Sequence, residues 1–176
     1  MAVFAGRFRH SVDAKNRVAI PSEFRRVLES FSSDKSVMAR VVDKKGSDGL
    51  IRRYVELLPV PAFEQLAGED GKRTTLDLSV AQADLLDRTF GESVALELDS
   101  QGRILLPEEF MLNSRVASDP LSKPTLSRDV LLVGIGSSIA VWNYDEYVAY
   151  NKLKQSGSGP AARNSGDGPQ DRTPPP

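Results

Sequence analysis

Hydrophobic and polar positions in this chain form short periodic segments that are separated by turn residues. Apolar or aromatic residues alternate with polar ones over residues 7–12, which predicts a half-buried β-strand. Residues 18–20 predict a return strand that ends at Pro21, because proline cannot donate a hydrogen bond to a neighbouring strand. Apolar residues at helical spacing over residues 22–31 then predict a short helix.

The same order of elements is predicted to recur along the chain, so that each half has the order β-β-α-β-β-α. The first half continues with strands at residues 36–43 and 50–58 and a helix through Phe63 and Leu66. The second half has predicted strands at residues 93–98, 104–106, 130–135 and 139–142 and helical segments at 108–112 and 144–153. A helix over residues 79–90 is predicted to join the halves, with loops at 68–74 and 113–128.

A short motif occurs twice, each time between the first two strands of a half. The Asp, Arg, Pro, Glu and Phe of residues 13–24 all recur 86 positions later. Asp13 and Asp99 favour the start of a turn. Asn16 and Gly102 occupy a position where the left-handed backbone conformation suits those residue types. We therefore interpret each copy as a hairpin turn from which an arginine projects.

The predicted strands are short and the helices few, so neither half can bury its apolar face alone. We therefore expect the two halves to share one barrel-like core and to need each other in order to fold. The expected division is a first unit at 4–67, a connecting loop and helix at 68–92 and a second unit at 93–154. Residues 155–176 are rich in Gly, Pro and Ser and are expected to be disordered.

Composition excludes several classes of chemistry. The chain has no cysteine and a single histidine, so disulfides, a thiol nucleophile and thiolate or multi-histidine metal sites are excluded, and no cofactor is expected. His10, Ser11 and Asp13 are close in sequence, but neighbours on a strand point to opposite faces and form no catalytic relay. We therefore expect no enzyme. Without a signal peptide or an apolar run long enough for a membrane span, a cytoplasmic location is expected.

Charge is distributed unevenly although the net charge is only -1. Residues 1–53 contain twelve Lys and Arg against six Asp and Glu, whereas residues 54–110 contain four against twelve. The basic charge therefore surrounds the first motif copy. Such a region can attract polyanions, because the local field is screened only beyond about 10 Å at moderate salt.

Basic residues near the motif are candidates for contact with nucleic acid. A guanidinium can bind a guanine edge or a phosphate through two hydrogen bonds, which favours Arg17 and Arg103. The alternative is that each arginine pairs with the aspartate of its own turn. Phosphate contact raises affinity without reading sequence, and its alternative is a solvated surface charge. The candidates for it are Arg7, Arg9, Lys15, Arg25 and Arg26.

The chain resembles the MraZ family of bacterial regulators in three features. They are the duplicated Asp-x-x-x-Arg before an apolar-x-apolar-Pro segment, the apolar strand at 130–134, and Trp142 before a tyrosine-rich helix. The resemblance covers roughly residues 4–153. It implies a mainly β fold with short helices (α+β), in which two tandem AbrB-like units share a pseudo-two-fold swapped-hairpin barrel.

The resemblance also implies a sequence-specific transcriptional repressor of a division and cell-wall gene cluster. Such a protein binds double-stranded DNA at short repeated boxes upstream of its own gene cluster, as a ring-shaped homo-oligomer associated with the nucleoid. By position, the turns would present Lys15 and Arg17 in the first copy and Gln101 and Arg103 in the second. It implies no membrane partner and no small-molecule substrate.

An oligomeric protein-interaction scaffold with the same fold and no DNA binding is the alternative function. The basic residues around the first motif copy favour DNA, because a scaffold would not require them. Arg52 and Arg53 are expected to point outward from a hairpin. The periodicity of Trp142, Tyr147 and Tyr150 favours packing in the core or at a subunit interface over base stacking.

Overall fold

The computed structural model describes residues 2–31, 35–70, 83–84, 86–111 and 125–157. Its first half contains β1 (Arg7–Ser11), β2 (Arg17–Ala19), α1 (Ser22–Phe31), β3 (Ser36–Lys45), β4 (Ile51–Pro59) and α2 (Val60–Asp70). A π-helical turn (Asp87–Gly91) precedes the second half, which contains β5 (Val94–Glu97), β6 (Arg103–Leu105), α3 (Glu108–Met111), β7 (Asp129–Gly134), β8 (Ile139–Asn143) and α4 (Tyr144–Gly157). The predicted order β-β-α-β-β-α is confirmed in both halves.

The strands of the two halves are interleaved. Six strands form one sheet in the order β1-β7-β8-β4-β3-β5, and β2 and β6 form a separate two-stranded ribbon. All the pairings are antiparallel. Among the strands of the described residues, only the β3–β4 and β7–β8 hairpins pair strands from the same half, whereas the other pairings join the halves. The fold is therefore mainly antiparallel β with short helices, as expected.

An approximate two-fold axis relates the two halves. Val18 on β2 pairs with Ile104 on β6, and these residues are separated by the 86 positions of the sequence repeat. Glu56 on β4 pairs in the same way with Ala140 on β8, 84 positions further along. In each pair, equivalent residues of the two halves face each other. The ribbon and the centre of the large sheet are thus both built symmetrically from the repeat.

The main hydrophobic core lies between the ribbon and the large sheet. Val18 and Ile104 contribute from the ribbon, and both are fully buried. The opposite side of the core comes from the large sheet and includes Val55, Leu132 and Val141. Strand alternation explains this arrangement, because successive side chains of a strand point to opposite faces of the sheet. The inward face supplies this core, and the outward face of β7 and β8 is apolar as well. Burial of each such side chain contributes about 1.5–3 kcal/mol.

A second cluster lies on the outer face of the large sheet, beneath α4. The Trp142 ring stacks on Tyr54 with ring centroids 4.7 Å apart, and Tyr150 stacks at 5.5 Å. Tyr147 meets the same indole edge to face at 5.8 Å. These aromatic residues therefore pack against one another, as their periodicity predicts.

The expected outward position of Arg52 and Arg53 is wrong. Arg52 is only 8% exposed, and its Nη2 lies 2.8 Å from Asp48 while its Nε lies 3.5 Å from Glu146 of α4. The Arg53 side chain is 12% exposed and donates from Nε to Asp43 at 2.7 Å. The hairpin pattern could not reveal this burial, because α4, which carries Glu146, comes from the other half of the chain.

Two helices extend beyond their predicted ends. α2 continues through Asp70 although a loop was expected from Gly68, and α4 reaches Gly157 although disorder was expected from residue 155. Extending an existing helix adds one hydrogen bond per residue ordered, and glycine is tolerated in it at about 1 kcal/mol. The remainder of the predicted connecting loop, most of the loop at 113–128 and the rest of the tail lie outside the described residues.

Within the described ranges, none of the helices has the length and apolar character needed to cross a membrane.

The burial of Ile104 in the core leads to a prediction about the free energy of unfolding. We expect Ile104→Ala to lower the free energy of unfolding by about 2–5 kcal/mol, because it leaves a cavity between the ribbon and the sheet. The neighbouring substitution Leu105→Ala is the matched control, since Leu105 is 60% exposed, and should change stability by no more than about 0.5 kcal/mol. Urea denaturation at one protein concentration measures both. Equal losses in the two variants would contradict the described ribbon orientation.

Candidate nucleic-acid interface

The first motif turn is organised by the carboxylate of Asp13. Its Oδ1 accepts hydrogen bonds from the backbone N–H groups of Lys15 and Arg17, both at 2.9 Å. Its Oδ2 accepts from Arg17 Nε at 2.7 Å and lies 2.7 Å from Arg17 Nη2. Asn16 has a φ of 58°, in the left-handed region. One carboxylate thus closes the turn and holds the arginine side chain.

The second turn has the same set of hydrogen bonds. Asp99 Oδ1 accepts from the backbone N–H groups of Gln101 and Arg103 at 2.9 Å, and Oδ2 accepts from Arg103 Nε at 2.8 Å. Arg103 Nη2 also lies 2.8 Å from Asp99 Oδ2. Gly102 occupies the left-handed position with a φ of 73°. The aspartate and arginine of each turn are therefore paired, which is the alternative that the sequence left open.

This pairing fixes the direction of each guanidinium without covering it. The Arg17 and Arg103 side chains are 32% and 27% exposed. A guanidinium has five N–H donors, and the aspartate engages those of Nε and Nη2 that face it. The Nη1 end is consequently directed away from the carboxylate. An exposed ion pair contributes only about 0–1 kcal/mol, so the main effect of each aspartate is orientation.

Hydrogen bonding within the turns also perturbs the aspartates. The pKa of Asp13 is lowered, chiefly because the backbone N–H of Arg17 donates to its carboxylate, with further lowering by the Arg17 side chain. The pKa of Asp99 is lowered in the same way by the backbone and side chain of Arg103. Both carboxylates are thus stabilised in the charged form that holds the arginines.

Both arginines lie on the outer face of the β2–β6 ribbon. Arg17 pairs with Leu105 and Ala19 pairs with Arg103, while the intervening pair points into the core. Side chains on one face of an antiparallel pair are direct or diagonal neighbours, so Arg17 and Arg103 are about 7–8 Å apart at their Cα atoms. The ribbon therefore presents two oriented guanidinium groups side by side.

Basic residues from elsewhere in the chain complete each turn. Arg128 donates from Nη1 to the backbone carbonyl of Asp13 and to Asn16 Oδ1, the latter at 2.8 Å. At the second turn, the Arg25 side chain packs directly against Gly102. Arg25, Lys35 and Gly102 all line one cavity beside this turn. Arg25 and Lys35 belong to the basic first part of the sequence, but strand exchange brings them to the second turn. Positive charge is therefore divided more evenly between the two turns in the folded protein than along the sequence.

Arg128 and Lys35 occupy equivalent positions that sequence analysis missed. The backbone carbonyl of Arg128 accepts from Val12 at 2.8 Å, and that of Lys35 accepts from Leu98 at 2.9 Å. Their separation is 93 residues rather than 86, so the constant spacing of the motif does not detect them. Their position just before β7 and β3 was the one available signal.

The remaining candidates divide into two groups. Lys15 and Gln101 are exposed on the turns, and Arg26 is exposed on α1. Arg7 and Arg9 instead lie on the outer face of the large sheet, where the Arg9 guanidinium is 3.8 Å from the centre of the Tyr144 ring and is also paired with Asp129. The structure therefore does not bring Arg7 and Arg9 onto the ribbon.

The contact between Gly102 and Arg25 can be tested by substitution. A Cβ at Gly102 would lie 2.6 Å from Arg25 Cδ, and the φ of 73° is itself unfavourable for alanine by about 1–2 kcal/mol. We expect Gly102→Ala to destabilise more than Gly49→Ala, whose φ of 78° is similar but whose surroundings are open. Thermal or urea unfolding measures the difference. Equal losses would show that the Arg25 contact has no energetic effect.

The lowered aspartate pKa values predict a loss of stability in acid. An unfolded aspartate has a pKa of about 3.9, above the folded values, so the unfolded state binds more protons as the pH falls through this range. The two turns therefore contribute to the free energy of unfolding above about pH 4. That contribution is lost as the pH falls through the lower pKa values of the folded aspartates. We expect the double variant Asp13→Asn, Asp99→Asn to show a shallower decline in unfolding free energy between pH 5 and pH 2 (roughly the range of these protonations). If the dependence of unfolding free energy on pH were unchanged in this variant, Asp13 and Asp99 would not be the source of the acid sensitivity.

Comparison with known proteins places this architecture in a family. The family model described as MraZ protein matches residues 89–166. The transcriptional regulator MraZ of Thermomicrobium roseum is 32% identical over 152 residues, which cover 86% of this chain and 89% of that protein. The regulator of the same name from Syntrophomonas wolfei is 29% identical over 92% of this chain and 96% of its own. Since similarity at this level extends over most of both sequences, the chain belongs to the MraZ family.

Proposed function

We propose that this protein is a DNA-binding transcriptional regulator that contacts double-stranded DNA through the outer face of the β2–β6 ribbon and its two turns. The observation that carries the proposal is the pair of aspartate-oriented arginines, Arg17 and Arg103, on one face of this ribbon. The major groove of DNA admits a two-stranded ribbon, and arginine is the side chain that most often binds guanine O6 and N7. The names of the related regulators support the same function.

The aspartates do not oppose this function. Each carboxylate faces its own arginine and the backbone N–H groups of its turn, so its charge is compensated before DNA approaches. Holding a guanidinium in one direction reduces the conformational entropy that arginine would lose on binding. The turn therefore fixes the orientation of the arginine side chain.

Residues around the ribbon supply further positive charge and, at Gln101, a neutral hydrogen-bond donor. Lys15 and Gln101 are exposed beside the arginines, and Arg25, Arg26 and Arg128 belong to the neighbouring elements. Such residues contact phosphates, which position a protein on the duplex without reading its sequence. Arg7 and Arg9 would reach only phosphates that pass beside the large sheet.

We further propose that the regulator is a repressor of a division and cell-wall gene cluster. It binds repeated boxes upstream of that cluster as a ring-shaped homo-oligomer in the cytoplasm, associated with the nucleoid. One ribbon offers a small contact area, so linking many copies raises the effective concentration of each remaining contact after the first has formed. In this proposal the unit at 4–67 contributes β2 to each ribbon, the unit at 93–154 contributes β6, and the connector at 68–92 joins the two units in sequence. Regulation through DNA occupancy requires no catalytic step.

DNA binding can be tested with the duplex upstream of the protein's own gene. We expect Arg17→Ala and Arg103→Ala each to weaken binding by about 5- to 150-fold, the value of one good bidentate contact. Lys45→Ala is the control, because it removes a comparable exposed charge far from the ribbon. Ser36, at the start of β3, lines the cavity beside the second turn, and Lys45, at the end of β3, lies about 30 Å further along the strand. That control should bind normally. Electrophoretic mobility shift measures the affinities, and sedimentation checks that the assembly is unchanged.

Salt dependence separates the two kinds of arginine contact. Loss of a phosphate contact should lower the slope of log affinity against log salt by about 1, whereas loss of a base contact should leave it unchanged. If Arg17→Ala and Arg103→Ala both bind as tightly as the parent, the ribbon does not contact DNA. The scaffold alternative would then be favoured, since a scaffold has no need of either guanidinium.

A further inference from the structure

The outer face of the ribbon carries one large apolar side chain, that of Leu105, which is 60% exposed. Isolated exposed apolar residues are common on proteins and need no special explanation. The position of Leu105 is what distinguishes it. It lies directly opposite Arg17, and Arg103 precedes it by two residues on the same face of the ribbon. Leu105 therefore lies beside Arg17, at one end of the outer face of the ribbon.

This side chain breaks the two-fold symmetry of the ribbon. Arg17 and Arg103 occupy equivalent positions of the two repeats, and so do Ala19 and Leu105. Alanine offers a single methyl group where leucine offers four apolar carbon atoms. The charged groups of the ribbon are thus duplicated, whereas the large apolar group is present at one end alone.

We propose that Leu105 contacts the 5-methyl group of a thymine in the DNA site, and that this contact sets the orientation in which the ribbon binds. The inference rests on the proposed DNA-binding function and adds a specificity-determining residue to it. The thymine methyl is the apolar group displayed in the major groove, where guanine also displays the acceptors that arginine binds. A leucine beside an arginine matches a thymine beside a guanine.

The flanking charges favour DNA over an apolar protein partner for this leucine. An apolar partner large enough to cover Leu105 would also cover Arg17 and Arg103, and it would have to desolvate both guanidinium groups. DNA satisfies the guanidinium groups and the apolar side chain at the same time. The proposal predicts a site with two similar arginine contacts and a required thymine next to only one of them.

Replacing thymine with deoxyuridine tests this contact, because the change removes only the methyl group. The probe is the tightest-binding duplex that the wild-type protein selects from a random-sequence pool, with each thymine replaced in turn. We expect one replacement to weaken wild-type binding by about three- to fivefold, as loss of one buried methyl group does. Leu105→Ala should bind the parent duplex more weakly by a similar factor and should be insensitive to that replacement.

A reciprocal variant tests the orientation. In the double variant Ala19→Leu, Leu105→Ala, the large apolar group moves to the other end of the ribbon. The methyl requirement should then move to the position related by the local two-fold axis of the site. Ala19→Leu alone should acquire a second sensitive thymine.

The outcomes are distinct from those for the proposed function. If no deoxyuridine position affects the wild type, or if Leu105→Ala keeps the same sensitivity, the thymine contact is wrong even though Arg17→Ala still loses binding. If Leu105→Ala changes the sedimentation of the assembly and leaves the deoxyuridine profile intact, Leu105 contacts protein and the proposal is overturned. If the wild type selects no sequence from the pool, both the DNA function and this inference fail.

Discussion

The antiparallel pairing of β2 with β6 is the interaction on which the rest of the structure depends. It joins the two halves through Val18 and Ile104, which are fully buried in the shared core. The same pairing places Arg17 and Arg103 side by side on the outer face. A slip of one residue would turn the arginines inward and the apolar pair outward, because successive side chains on a strand face opposite ways. Core packing and the candidate site are therefore specified by one register.

A buried polar network reinforces the register at the centre of the large sheet. Glu56 is 8% exposed and lies opposite Ala140, on the two-fold axis. Its Oε2 accepts from Arg40 Nε at 2.8 Å and its Oε1 accepts from the hydroxyl of Ser138 at 2.6 Å. Both carboxylate oxygens are thus satisfied, one by β3 of the first half and the other by the turn between β7 and β8 of the second half. A shifted register would leave this buried charge unpaired, which is costly.

The two turns show how a short motif can be reused in a duplicated fold. The bonds within each turn are local and nearly identical, so the arginines are presented alike. The neighbours of each turn come from distant segments and differ, since Arg128 supports the first turn and Arg25 the second. Duplication therefore preserves the hydrogen bonds that orient the arginine and allows its surroundings to diverge. The equivalent positions of the two repeats that hold Ala19 and Leu105 show the same divergence.

The sequence by itself determined the order of the strands and helices and the chemistry of the turns. Those features depend on periodicity and on hydrogen bonds that span five residues, such as the bonds that Arg17 donates to the carboxylate of Asp13. Only the tertiary structure decided which strands of the two halves pair with each other, that Arg25 lies against the second turn, and that Arg52 is buried under α4. Each of these depends on contacts between residues far apart in the chain. Their partners cannot be deduced from local pattern, because every exposed arginine has the same local signature until a distant element packs against it.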